Sequence, residues 1–214
     1  METDRKWIVV RIDGKIAAVS TDYRQLAKIS AQISETSGNR RQKAGKSGRR
    51  SRPESEDGNI YSEIRATAVS FEEIWRMKQD IRWDDLLLFG TDFQKQVWKK
   101  LWELTHPQVQ EGEAGQPELV SYSDFAELCH NRAGVRAVAH AIGLNPISVI
   151  IPCHLVVPKE SIDRIREIQR RAESTIFKGE DLCLNSILED TTIDFGEYSL
   201  GKELKRELII LDMA

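Results

Sequence analysis

Apolar and polar residues alternate along Trp7–Ile12 and again along Lys15–Ser20, with Asp13 and Gly14 between them. This pattern predicts a β-hairpin closed by a two-residue turn. Tyr23–Ile33 carries apolar positions at helical spacing. From Ser34 to Gly58 the periodicity stops, and Ser, Gly, Pro and charge dominate, with Arg40, Arg41, Lys43, Lys46, Arg49, Arg50 and Arg52 clustered. That composition predicts a solvated linker, or alternatively a loose arm that follows nucleic-acid phosphates. Ile60–Val69 reads as a strand region and Phe71–Asp80 as a short amphipathic helix.

A stronger pattern begins at Gly90. Thr91 and Gln94 form a capping box, and Phe93, Val97, Trp98 and Leu101 follow on one helical face. Ser121 reads as the N-cap of a second helix whose inner face is Tyr122, Phe125, Ala126 and Cys129, so Cys129 is expected to be a buried packing residue. A turn at Asn131–Gly134 leads to a third helix with Val135, Val138 and Ile142 inward and Arg132, Arg136 and His140 outward. Two short helices, a tight turn and a basic outer stripe predict a helix-turn-helix. Farther on, Ser161–Phe177 is predicted to be helical, with Ile162, Ile165, Ile168 and Ile176 as a core-facing stripe.

These elements predict an α/β chain of two parts. A small N-terminal α/β domain over residues 1–88 contains the basic linker at 34–58, and a C-terminal helix-turn-helix, winged-helix-like domain covers 89–214. The 31 basic and 34 acidic side chains leave a net charge of -3, which excludes a protein that gathers nucleic acid over its whole surface. Any such surface must be locally basic. No apolar run resembles a signal peptide or reaches membrane-spanning length, so the chain is expected to be soluble, cytoplasmic and without a membrane partner. Cys129, Cys153 and Cys183 are odd in number and widely spaced, which predicts free thiols rather than a disulfide framework or a zinc cluster.

Candidate chemistry centres on one of those thiols. Gly143 is a plausible helix stop; it is followed by Asn145-Pro146, an apolar run Ile147–Ile151 expected to be a buried strand, and Pro152-Cys153-His154. The proline restrains the backbone, and the neighbouring imidazole is able to take the thiol proton directly or through water. On these residues alone a nucleophilic and a packing role for Cys153 both stand. Near the C-terminus, Gly201, Lys205, Leu208 and Asp212 share one helical face, which turns an acid inward among apolar neighbours, where it needs a partner. His154 is the candidate.

The residues Gly90-Thr91-Asp92-Phe93-Gln94, Val97-Trp98, Val120-Ser121-Tyr122, Val135-Arg136-Ala137-Val138, Asn145-Pro146 and Ile151-Pro152-Cys153-His154 occur in this order. Together they resemble the methylated-DNA:protein-cysteine methyltransferases, also called O6-alkylguanine-DNA alkyltransferases. The resemblance runs from Gly90 to Val157 and resumes at Tyr198, Ser199, Gly201, Lys205, Leu208, Ile209 and Asp212. It implies single-turnover transfer of an alkyl group from O6-alkylguanine, and also O4-methylthymine, in double-stranded DNA to Cys153. It further implies His154 as the base acting through water, Asp212 as its orienting acid, Asn145 as a brace for the cysteine loop and Tyr122 as donor to the departing guanine. Ser199 and Tyr198 would lie on the loop that meets the lesion base, and the Val156 carbonyl would read its exocyclic amine. Arg136 would enter the base stack, with Arg132, Ala137 and His140 on the same DNA-facing helix surface. The resemblance implies a monomer with no cofactor and no metal.

Departures from the family carry expectations of their own. Leu155 stands where the family has Arg, removing a cation beside the active-site loop, which predicts weaker thiolate stabilisation. Asp212 replaces Glu and loses about 1.5 Å of reach, which predicts a looser or water-bridged contact with His154. His140 lies where small residues are common, and Leu200 replaces Trp or Gly. An insert at about 158–195, holding the Ser161–Phe177 helix and Cys183, separates Val157 from Tyr198. Alkyltransferase-like proteins, which bind the same lesions without transfer, resemble this chain with Trp in place of the reactive Cys, so Cys153 opposes that reading. Hydrolysis by a Cys-His pair would require turnover.

Overall fold

The structure is a computed structural model that describes residues 6–21, 63–106, 118–175 and 187–213. The expected Tyr23–Ile33 helix, the basic cluster from Arg40 to Arg52 and Cys183 lie outside these residues, as does Ile176. The chain divides into two compact units, Glu2–Phe89 and Gly90–Ala214.

In the first unit β1 (Trp7–Ile12) and β2 (Lys15–Ser20) form the expected hairpin, with Asp13 and Gly14 both at positive φ, as a type I′ turn requires. The third strand, β3 (Ile64–Val69), pairs antiparallel with β1, giving the order β2-β1-β3. Helix α1 (Phe71–Asp80) starts at Ser70, whose side chain accepts from Glu73 N while Glu73 closes the capping box. Ile12, Ala17 and Ala18 pack with Phe89 as a small core.

The second unit begins with α2 (Asp92–Glu103), whose capping box is Thr91 and Gln94 as the local pattern requires. Its inner face buries Val97, Trp98, Leu101 and Trp102. Strand β4 (Val120–Ser121) runs straight into α3 (Tyr122–Leu128), for which Ser121 is the N-cap. A one-turn 3-10 helix at Arg132–Gly134 then leads into α4 (Val135–Gly143). At Gly134 a Cβ would stand 2.4 Å from the Asn131 side-chain amide, which would have to move to admit one. Trp98 is buried against α4 and donates from Nε1 to Ala141 O at 2.8 Å, tying α2 to the second helix of the motif.

The run Ile147–Ile151 is buried but is not the expected strand: only Ile147 makes a β-bridge, and Ser148–Ile150 form a turn with Val149 at φ 72. Local bonds replace the ladder. Ile147 N donates to Asn145 Oδ1, Asn145 Nδ2 donates to Ile151 O, and Ile151 N closes back on Ile147 O at 3.0 Å. The backbone groups at the two ends of this buried segment are thereby satisfied by local bonds. After it come a 3-10 turn at Cys153–Leu155 and β5 (Val156–Val157), which pairs parallel with β4.

The insert begins with α5 (Lys159–Thr175), and the unit ends with α6 (Lys202–Met213). Ile165 is buried and Ile162 and Ile168 pack beside it against Val157, Ile187, Leu188, Ile193, Phe195 and Ile209. The helix stripe thus faces a core, and the insert extends the hydrophobic centre of this unit. Arg206 on α6 fixes the returning segment, donating to Leu188 O at 2.6 Å, Asp190 O at 2.8 Å and Ile193 O.

Candidate active site

Cys153 ends up at a cleft because the turn at 147–151 and the following 3-10 turn deliver it between α3, α4 and the loop before α6. A pocket of about 350 Å³ is lined by Tyr122, Ala139, Ile142, Gly143, Cys153, Glu197, Tyr198 and Ser199. Only 6% of Cys153 is exposed. Asn145 holds the turn with one bond and the sulfur with another, its Nδ2 donating to Cys153 Sγ at 3.1 Å. Burial pushes the Cys153 thiol above its ordinary range, against the downward pull of Asn145, of the Tyr198 hydroxyl and of the Lys205 charge.

His154 is wholly buried, and its Nε2 lies 2.6 Å from Asp212 Oδ2. The contact is direct, so the looser or water-bridged arrangement expected of the shorter acid is not found. Helix α6 packs against the Cys153–Leu155 turn, and this closeness supplies the reach that the missing methylene would have given. Leu155 fills a fully buried site beside the pair.

Tyr122 opens α3 and is half-buried on the pocket wall. Burial first, then the nearby Cys153 and Glu197, push its phenol upward, which keeps it protonated and able to donate. Tyr198 stands opposite, its ring edge-on to His154 with centroids 6.4 Å apart. Ser199 is exposed at the pocket mouth.

Lys205, an inward position of its helix by sequence spacing, is central to this site. Its Nζ donates to Val156 O at 2.9 Å, Phe195 O at 2.6 Å and Glu197 O at 3.5 Å, and lies 5.8 Å from the Tyr122 ring centre. Burial lowers its pKa to about 8, opposed by the attraction of Cys153, Asp194 and Glu197. The Val156 carbonyl therefore already accepts one bond and has a single lone pair left for any other donor. A buried Lys on the same helical face as the acid was the available signal.

Arg132, Arg136, Ala137 and His140 do not line this pocket. All four are exposed on the helix-turn-helix, with Arg132 3.4 Å from Glu127. Cys129 is half-buried rather than buried, since α3 ends there and its side chain lines a separate groove with Phe93, Val97 and Lys100. Among the described residues no group of three or more His, Cys, Asp and Glu has the geometry of a metal site.

The family profile described as the DNA-binding domain of 6-O-methylguanine DNA methyltransferase matches residues 92–171. A protein of Acanthamoeba polyphaga mimivirus, named "Probable methylated-DNA–protein-cysteine methyltransferase", is 43% identical over 77 residues, 36% of this chain and 45% of that protein. The methylated-DNA–protein-cysteine methyltransferase of Haemophilus influenzae is 39% identical over 71 residues, 33% of this chain and 34% of its own. The chain thus spans less than half the length of these relatives. The crystal structure of Mycobacterium tuberculosis OGT in complex with DNA is 26% identical, with a TM-score of 0.37 over 60% of this chain and 53% of that one. Over residues 92–171 the second unit of this chain is thus similar to the DNA-binding domain of the 6-O-methylguanine DNA methyltransferases.

Proposed function

We propose that this protein repairs DNA by moving an alkyl group from O6 of guanine in a duplex onto Cys153 Sγ, once per molecule. The observation that carries the reading is the thiol itself. It sits at a pocket floor, hydrogen-bonded by Asn145, next in sequence to a buried histidine paired with an acid. His154, oriented by Asp212, takes the thiol proton through water. The sulfur electron pair forms the new carbon-sulfur bond, the carbon-oxygen bond breaks, and its pair leaves with guanine. Tyr122, still protonated, stabilises that anion with a hydrogen bond as charge develops. The thioether has no leaving group for water to displace, so the step is not reversed and the protein does not turn over.

The target carbon lies inside the duplex, so its nucleotide must be rotated out. Arg136 projects from the exposed face of α4 and serves as the residue that fills the gap, with Arg132, Ala137 and His140 facing the backbone around it. Ser199, Tyr198 and the free lone pair of the Val156 carbonyl then meet the extruded base. The minor groove suits such a search, since its code is degenerate and damage has no fixed sequence. Methyl groups on O4 of thymine present the same electrophile.

Duplex DNA containing O6-methylguanine should add one methyl mass to the Cys153 peptide, in proportion to lesions lost. Cys153→Ser should abolish the mass gain and keep lesion-selective binding. The raised thiol range favours a second reading, lesion binding without transfer. Wild-type protein that binds the lesion yet gains no methyl mass, even at alkaline pH, would establish that reading in place of repair.

A further inference from the structure

A buried thiolate needs several donors, and among the described residues Asn145 is the one that donates to Cys153 Sγ with full hydrogen-bond geometry. The Lys205 cation attracts the sulfur from a distance, but its Nζ protons are directed at the carbonyls of Val156, Phe195 and Glu197. Leu155 brings no charge. Among the described residues, two hydroxyl oxygens in this part of the molecule lie without a hydrogen bond of full geometry. These are Tyr198 Oη and Ser148 Oγ, both fully buried.

Each of these oxygens is both a donor and an acceptor, and leaving either unsatisfied in a protein interior is unfavourable. The Tyr198 hydroxyl lies within interaction range of both the Cys153 sulfur and the Ser148 hydroxyl, and Cys153 and Tyr198 line the same pocket. Ser148 faces inward from a turn in which Val149 holds φ 72, a left-handed conformation that disfavours a β-branched residue. Strain of this kind persists where the surroundings impose it, and it gathers at functional positions.

We propose that Ser148 and Tyr198 form a hydroxyl relay that closes when Cys153 ionises. Tyr198 Oη–H then donates to the sulfur anion and Ser148 Oγ–H donates to Tyr198 Oη. The two unsatisfied oxygens become satisfied in the reactive state, so the relay favours the thiolate over the thiol. Burial and the sulfur charge keep Tyr198 protonated, so its proton is present to donate whenever the thiol loses its own. Ser148 is a positioning residue that acts through Tyr198. The relay rests on Cys153 being the reacting thiol of the proposed function, and is independent of which electrophile it meets.

The charged and titratable groups facing this sulfur are His154 and Asp212, Lys205, Tyr122, Tyr198 and Glu197. The test leaves all but Tyr198 in place. Full-length protein is treated with iodoacetamide across a pH series, and modification of the Cys153 peptide is followed by mass spectrometry. Tyr198→Phe should raise the midpoint by about one pH unit, the expected loss of one hydrogen bond to a charged group. Ser148→Ala should raise it by less, and should add nothing in the Tyr198→Phe background. An unchanged midpoint in Tyr198→Phe, or a Ser148→Ala shift that survives in that background, would overturn the relay. Should Tyr198→Phe fail to fold, an unchanged midpoint in Ser148→Ala alone refutes it. Methyl transfer from O6-methylguanine DNA is measured in parallel. Its failure in wild-type protein with the pH shifts intact would sink the repair reading and leave the relay standing.

Discussion

At Cys153, burial disfavours the anion while Asn145, Tyr198 and Lys205 favour it, and burial prevails. The neutral thiol is therefore the main species at neutral pH, and alkylation should keep accelerating into the alkaline range before it levels off. A rate already flat at acidic pH would contradict this balance. Lys205 is coupled to it, since a cation with a pKa of about 8 is lost over the range in which the thiol ionises. Lys205→Met should raise the Cys153 midpoint and destabilise the fold by ~1–3 kcal/mol, because the carbonyls of Val156 and Phe195 lose a buried donor. Between about 8 and the ordinary 10.5 the unfolded chain keeps a proton that the folded one has released, so wild-type stability should rise relative to the variant through that window. Denaturation midpoints measured across it would detect the trend or its absence.

The joint between α2 and α4 rests on Trp98, whose indole N–H reaches the Ala141 carbonyl in a buried contact. Trp98→Phe keeps most of the apolar volume and removes the donor, which should cost ~1–3 kcal/mol. Urea unfolding should show this as a lower midpoint at unchanged slope; an unchanged midpoint would show that the bond contributes nothing. Elements of this sort were legible because their signals are local. Thr91 and Gln94, Ser121, and the Asp13-Gly14 turn each declare a boundary through their own side chains or backbone. Ile147–Ile151 was not, since an apolar run of that length reads equally as a strand or a buried turn. What decides it is the side chain of Asn145, bonding across the segment. The carbonyls gathered by Arg206, and those of Phe195 and Glu197 gathered by Lys205, were hidden for a related reason: they belong to the aperiodic stretch 187–197, which has no pattern to read.

At the scale of the whole molecule, the division into a small unit built on the β2-β1-β3 sheet and a mainly helical unit falls at Gly90, where the stronger capping-box and helical pattern begins. The pocket is built from Tyr122 to Ser199 alone, within the second unit, and its parts lie far apart in sequence; only the motif resemblance brought Tyr122, Asn145, Cys153 and Ser199 together in advance. The exposed stripe of α4 is separate from that pocket, and the two are predicted to fail separately. With a net charge of -3, nonspecific attraction is weak, so duplex recognition must draw on local groups such as Arg136. Free O6-benzylguanine needs no unstacking, whereas a lesion in duplex DNA costs a few kcal/mol to extrude. Arg136→Ala should therefore slow transfer from a duplex by roughly tenfold or more, by removing what offsets part of that cost. Reaction of the same variant with free O6-benzylguanine should stay within about twofold of wild type, since no flipping step is involved. Single-turnover labelling of Cys153 with both substrates makes the comparison. Equal losses on the two would place Arg136 in the chemistry or the fold rather than in extrusion.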